Sequence, residues 1–410
     1  MKAGFFSALT GPLRIPVFRA LWIATVVSNL GTLMHAVGAA WLMTSMTDSP
    51  FLVGMVPAAV FLPTFLVGLW GGVLADQFDR RKILICTQSA MMFAAAALGG
   101  LTLSGHMSPP LLIALTFCIG TASSLNLPAW QSQIQDIVPS GQVAAAVSLN
   151  SMSFNAARAV GPAVGGLLVA ALGPAIVFLL NAGSYLGTVF VLLRWQKPVV
   201  EIRQRDLRHV MLEGVRYALR APVMRAPLVR VSVFSFGTSA IWAVLPLLAR
   251  DSLGLGAGGY GTLLAAFGLG SLTIGSLVPG LRKIWRADQL VAVAVAVLGA
   301  AVFLVAVVKS YPVLLIVLFF GGVAWVGAMV QFNVTLQTSV PAELRGRAMS
   351  FYLFCFQGAM GLGSAFNGWV AGHVGIPHAL ILSSLIVLSG LVLAWFFPLA
   401  QEGTGGTGKN

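Results

Sequence analysis

The sequence predicts an all-α membrane protein with twelve transmembrane helices in two pseudo-symmetric six-helix bundles. Three observations predict it. The chain is 58% hydrophobic and only 9% charged, against roughly 45 to 50% and about 25% in an ordinary soluble domain. Apolar runs of crossing length, roughly 20 residues each, recur along the chain between short breaks of Gly, Pro and charge. Finally, QDIVPSGQVAAAVS at 135–148 returns as QTSVPAELRGRAMS at 337–350, a shift of 202 residues. A transmembrane barrel would need period-2 alternation, which is absent.

The crossings fall at 17–43, 51–75, 82–104, 109–135, 144–170, 174–196, 228–250, 259–281, 288–308, 313–338, 347–372 and 376–398. With both termini cytoplasmic, Arg250 and Lys309 lie outside, Arg158 lies within the membrane, and every other Lys and Arg lies inside. Cytoplasmic loops carry such an excess. The net charge of +13 therefore reports orientation, not a nucleic-acid partner. Cys86, Cys118 and Cys355 fall inside crossings with no paired spacing, which suits packing residues. The first apolar run has full crossing length and no small-residue cleavage site, so it is expected to stay as its own anchor.

Residues 1–196 are expected to form the first bundle, 197–227 a cytoplasmic linker, 228–400 the second bundle and 401–410 a flexible cytoplasmic tail. In the linker, Leu207, Met211, Val215 and Ala218 repeat at helical spacing among arginines, giving an amphipathic helix with a basic face. That face is read as a solvated connector.

In the first crossing Thr25, Asn29, Thr32 and His35 share one face. Polar groups at membrane depth turn toward the bundle interior or a watery cavity, and bonds between helices leave the same pattern. The second crossing carries the small-xxx-small pair Gly68 and Gly72 and ends in GGVLADQFDRRK, residues 71–82, the sharpest cluster of charge in the chain. The fourth carries Asn126 and Pro128, then Gln131, Gln133 and Gln135 before Asp136.

The fifth contains NAARAVGPAVGG, residues 155–166. A charge at the place of Arg158 costs roughly 2.5 to 3.5 kcal/mol on insertion scales, so it calls for a partner. Pro162 crowds the carbonyl four residues earlier and is expected to kink the helix beside Arg158. Ala157, Gly161 and Gly165 form a small-residue ridge.

The shift of 202 also carries Ala157, Gly161 and Gly166 onto Ala359, Gly363 and Gly368. One offset across helix, loop and helix implies two parallel repeats. Arg158 falls on Met360, so the buried cation belongs to one half alone.

Other chemistries find no support. The tail GTGGTGKN nearly spells a phosphate-binding loop, but Asn410 replaces the needed hydroxyl and no strand precedes it. Direct use of ATP is not expected. His35, His106, His209, His373 and His378 are scattered, with no metal-binding spacing. No acid, base and nucleophile converge. The sequence therefore calls for no enzyme activity, no cofactor and no metal.

Taken together, the repeated halves, the basic middle loop, GGVLADQFDRRK and GPAVGG resemble the major facilitator superfamily. Within it the chain is similar to the bacterial efflux branch that includes enterobactin exporters and macrolide efflux proteins. The family's loop pattern, G-x-L-A-D-x-x-G-R-K, is matched by Gly72, Leu74, Ala75, Asp76, Arg80 and Arg81, with Asp79 at the usual glycine. The resemblance implies a conformational gate of Gly72, Asp76, Arg80, Arg81, Lys82 and Asp136, in which Asp76 meets the inner end of the eleventh helix. Helix N-termini attract carboxylates. Arg80 then needs an acid, and Asp136 is the candidate. Gly161, Pro162, Gly165 and Gly166 match the motif of family exporters; the plainer reading is a packing ridge without directional meaning.

All 11 acids lie in loops, at helix ends or in the tail. Proton coupling would then fall on His35, Asp136 or the substrate itself, and His35 has the right intrinsic range. The expected function is a monomeric secondary exporter, a proton antiporter of the bacterial inner membrane. It would rock two halves about a site lined by Asn29, His35, Asn126, Arg158, Trp242, Trp325, Gln331 and Gln357, for a small drug-like or siderophore-like compound. An importer or uncoupled facilitator is the alternative, followed by a non-transporting scaffold or receptor.

Overall fold

The computed structural model describes residues 10–195, 222–282, 284–341 and 344–399. The linker helix, its arginines before position 222 and the tail lie outside these residues. Among the described residues twelve long helices are present: α1 Pro16–Met46, α2 Pro50–Gln77, α3 Arg80–Leu103, α4 Pro109–Ile137, α5 Val143–Leu172, α6 Pro174–Arg194, α7 Pro222–Thr238, α8 Ala257–Leu281, α9 Ala287–Val307, α10 Tyr311–Ser339, α11 Arg345–Val374 and α12 Ile376–Phe396. The seventh crossing continues past Ser239 as Ala240–Leu247 and ends in one π-helical turn, Leu248–Ser252. Among the described residues eleven crossings are long and apolar enough to span a membrane. The other, α11, is more polar, with Gln357, Ser364 and Asn367 along its length.

Proline opens most of these helices because its missing N–H is unsatisfied there anyway. Prolines inside α2, α4 and α5 do not interrupt them: Pro57, Pro63, Pro128 and Pro162 all sit in continuous helix. The repeat is legible in the backbone. Gly173 before α6 and Gly375 before α12, also 202 residues apart, both take positive φ, 81° and 89°, which glycine adopts without steric cost.

Two compact units result. One gathers the described parts of Met1–Asp48, Leu66–Arg205 and Gly254–Ala265, the other those of Ser49–Phe65, Asp206–Leu253 and Ala266–Asn410. By this grouping α2 gives its first turns to the second unit, and α8 gives its first turns to the first. Bare backbone explains the exchange. A Cβ on Gly166 would stand 2.9 Å from the Cα of Gly261, and one on Gly368 would stand 3.1 Å from the Cα of Gly54. Where two glycines meet, helix axes come close and their backbones make the contact.

Candidate functional site

The charged cluster after α2 is built on a helix start. Asp79 caps α3, accepting a hydrogen bond from the Arg81 N–H at 2.9 Å. Aspartate is a favoured N-cap, which gives a physical reason for its standing at the family's glycine. Arg80 Nη1 donates to both carboxylate oxygens of Asp136 at 3.2 and 3.3 Å, so the expected pair forms between α3 and the end of α4. Arg81 does something the sequence did not suggest. Its Nε and Nη2 donate to the carbonyls of Leu192 and Leu193, each at 2.7 Å, satisfying acceptors that the end of α6 leaves free. Lys82 is exposed. Gly72 and Asp76 are described only as helical backbone within α2, and the contacts expected of them lie outside what is described.

In the first unit the polar face of α1 is taken up largely by neighbouring helices. Asn29 donates to Ser153 of α5 at 3.3 Å, and Thr32 shares a 3.2 Å hydrogen bond with Tyr185 of α6. His35 is 5% exposed and lies against Phe178 of α6, ring centroids 4.7 Å apart. Neither of its ring nitrogens has a hydrogen-bond partner among the described residues. Asn126 is buried and donates to Thr87 of α3 at 2.7 Å. For Asn126 the structure therefore favours a bond between helices over a cavity lining. Arg158 is half-buried, its guanidinium 4.8 Å from the ring centre of Phe154 one turn earlier. A cation over an aromatic face keeps part of the stabilisation that water would have given it.

The GPAVGG glycines explain why α5 packs so closely. A Cβ on Gly161 would come within 2.8 Å of the Cβ of Leu33, and one on Gly165 within 2.8 Å of the Cα of Met34, both on α1. Gly166 faces Gly261 instead. The motif is at the least a packing ridge with two partners.

In the second unit the expected aromatic residues meet. Trp242 and Trp325 have ring centroids 5.5 Å apart, and Phe267 stands 5.4 Å from the first and 5.9 Å from the second. Phe356 joins at 6.4 Å from Trp325 and stacks on Tyr352. Edge and tilted geometries of this kind are the favoured ones for ring pairs. Gln357 is half-buried beside this cluster in sequence, its carbonyl oxygen without a partner among the described residues. Gln331 turns elsewhere. With about 100° per residue on a helix, it falls on one stripe with Ala324 and Gly327, away from Trp325, and lines a separate cavity between α8, α9 and α10.

Two polar centres escaped sequence reasoning. Arg230, two turns into α7, is 2% exposed and pairs with Asp288 of α9, whose second oxygen accepts the Leu399 N–H at 3.0 Å. Its signal was weak: both residues sit where a helix end would ordinarily meet water. Asn367 of α11 donates to Ser239 at 3.1 Å and accepts from Ser383 of α12 at 2.5 Å, joining three helices. A lone Asn in an apolar run was the available clue. Among the described residues no group of three or more His, Cys, Asp or Glu is placed to hold a metal ion.

The comparisons with known proteins decide the family. The model of the transmembrane secretion effector family, a branch of the major facilitator superfamily, matches residues 7–405. The chain belongs to this family. It is 24% identical over 409 residues to the multidrug efflux pump Tap of Mycolicibacterium fortuitum, covering 96% of this chain and 97% of that protein. It is 25% identical over 386 residues to the enterobactin exporter EntS of Salmonella choleraesuis, covering 92% and 90%. Among solved structures, the nucleoside transporter NupG superposes with a TM-score of 0.77 at 11% identity, over 93% of this chain and 98% of that one, which shows the shared fold. This family member is therefore an integral membrane transporter of small molecules, not an enzyme.

Proposed function

We propose that this transporter is an exporter, moving a small amphipathic compound, drug-like or siderophore-like, out across the bacterial inner membrane by alternating access in exchange for protons. The observation that carries the reading is the family match along nearly the whole chain, with relatives named as exporters covering nine-tenths of it or more. Arg158 supplies a cation for an anionic group of the substrate. The Trp242, Trp325 and Phe267 rings supply apolar faces for its body. His35, buried with both nitrogens unpartnered among the described residues, is the proposed proton carrier, since imidazole titrates in the physiological range. Residues 72–82 with Asp136 form the gate, and the Arg80–Asp136 pair anchors it. The protein is proposed to act as a monomer with both termini cytoplasmic.

Everted membrane vesicles test this directly. Under an acid-inside pH gradient they are expected to accumulate a fluorescent amphipathic dye or an anionic catecholate, and a protonophore should abolish the uptake. Accumulation in right-side-out vesicles instead would establish an importer. Transport insensitive to the gradient would establish a facilitator. If neither vesicle type moves these compounds, and Gly161→Trp changes nothing, the reading is wrong.

A further inference from the structure

The cavity that Gln331 faces is a candidate site of its own. It occupies about 230 Å³ between the later turns of α8, the first turns of α9 and the middle of α10. Its walls are apolar except for Gln331, which is 1% exposed and whose carbonyl oxygen has no hydrogen-bond partner among the described residues. A buried acceptor without a donor is uncommon in folded proteins. At the rim Val293, Phe320 and Trp285 are each more than two-fifths exposed. In a chain that spans a membrane such apolar faces meet lipid, so the opening is to the bilayer. Trp285 stands between Arg282 and Arg286 in sequence, the placement of an interfacial aromatic at a basic helix end.

The floor is unusually open to filling. A Cβ added to Gly327 would touch only Ile274, at 3.6 Å, an ordinary contact. Most buried helical glycines in this chain press on a neighbouring helix, whereas Gly327, half-buried, keeps space that packing did not use. The volume is below the roughly 300 to 1,000 Å³ of ordinary small-molecule clefts and suits one or two fused rings.

We infer that this groove binds a small, ring-sized apolar molecule carrying a single O–H or N–H donor, drawn laterally from the bilayer, with the donor bonded to Gln331 Oε1. A lipid tail would fill the walls but leave that oxygen unmet, which is why the donor-bearing molecule is the assigned occupant. The inference stands whether or not the transport reading does.

The test uses the full chain in phosphatidylcholine nanodiscs with 1-naphthol and naphthalene, which share an apolar body and differ by one hydroxyl. Saturable binding of 1-naphthol above the uptake of empty nanodiscs is expected, with naphthalene about tenfold weaker, the scale of one well-made hydrogen bond to a buried acceptor. Gln331→Leu should erase the preference. Gly327→Leu should remove saturable binding, while Gly327→Ala keeps it. Equal binding of the two compounds to the unaltered protein, or 1-naphthol binding that survives Gly327→Leu, would overturn the site. So would quenching of Trp285 emission by acyl-brominated lipid, absent in Trp285→Phe, that 1-naphthol fails to relieve; the groove would then hold a lipid tail. Should Gly327→Leu fail to fold, the two-compound comparison in Gln331→Leu still decides.

Discussion

The two units answer the same architectural problem with opposite materials. Phe154 and Arg158 of α5 correspond, at the shift of 202, to Phe356 and Met360 of α11. In the first unit the phenyl ring supports a guanidinium. In the second, Met360 is buried and Phe356 joins rings from α10 and its own helix. Elsewhere the repeat is preserved in kind: Gly161 presses on α1 and Gly363 on α7. The difference teaches that the small-residue ridge is what the fold requires, while the side chains one turn away are free to specialise. One unit became cationic, the other aromatic.

The units also differ in how they treat ion pairs near helix ends, and this is where the largest effect is expected. Arg230 of the second unit is 2% exposed beside an Asp288 that is 33% exposed, whereas Arg80 and Asp136 of the first are 30% and 17% exposed, so the contrast lies in the cation. Asp288→Asn leaves a buried guanidinium uncompensated and should lower the unfolding free energy by about 3 to 5 kcal/mol. Asp136→Asn should cost about 1 kcal/mol or less, because solvent screens that pair. Thermal unfolding in detergent reads both, and similar losses would break the contrast. The double change Arg230→Met with Asp288→Ser should recover much of the first loss.

The next effect sharpens the cation-versus-aromatic comparison. Arg158→Met copies the second unit into the first and should reduce transport of an anionic substrate roughly 10- to 100-fold, the range of a hydrogen bond to a charged group. Transport of an uncharged substrate should fall far less. Equal losses for both would mean that Arg158 holds the helix and not the substrate.

A smaller change is expected from the aromatic side. Trp325→Leu keeps the site apolar but removes ring pairs with Trp242, Phe267 and Phe356, each worth about 0.5 to 1.5 kcal/mol. It should weaken the apparent affinity for ring-bearing substrates by roughly 2- to 10-fold and leave the Arg158-dependent selectivity unaltered. The slightest effect on rate is expected from His35→Asn at neutral pH, where its signature is a flattened pH profile of transport. A profile superimposable on that of the unaltered protein would remove His35 from proton coupling.

Much of the fold was legible because lipid imposes a simple rule: every crossing needs a long apolar run with its backbone bonds closed internally. All twelve crossings expected from the sequence appear as helices, and α11 was recoverable through its repeat partner despite its polar residues. The candidate site was legible only as residue types. Sequence placed His35, Asn29 and Asn126 at membrane depth but could not say what each would face. Asn126 went to Thr87 on α3 and His35 to Phe178 on α6, because the rotation of a helix about its own axis is set by its neighbours. Gln331 was grouped with Trp325 as one lining, yet six residues along a helix set them on different faces.

By itself the sequence determined the crossings, their repeat and the presence of a cation at Arg158, since these depend on hydrophobicity and identity along one covalent chain. Only the tertiary structure decided that α2 and α8 lend their first turns to the opposite unit, that Asp79 caps α3, and that Arg230 hides with Asp288. Such choices rest on contacts between residues distant in the chain. Close approach at a glycine or burial of a charge is favourable only once the facing helix is in place.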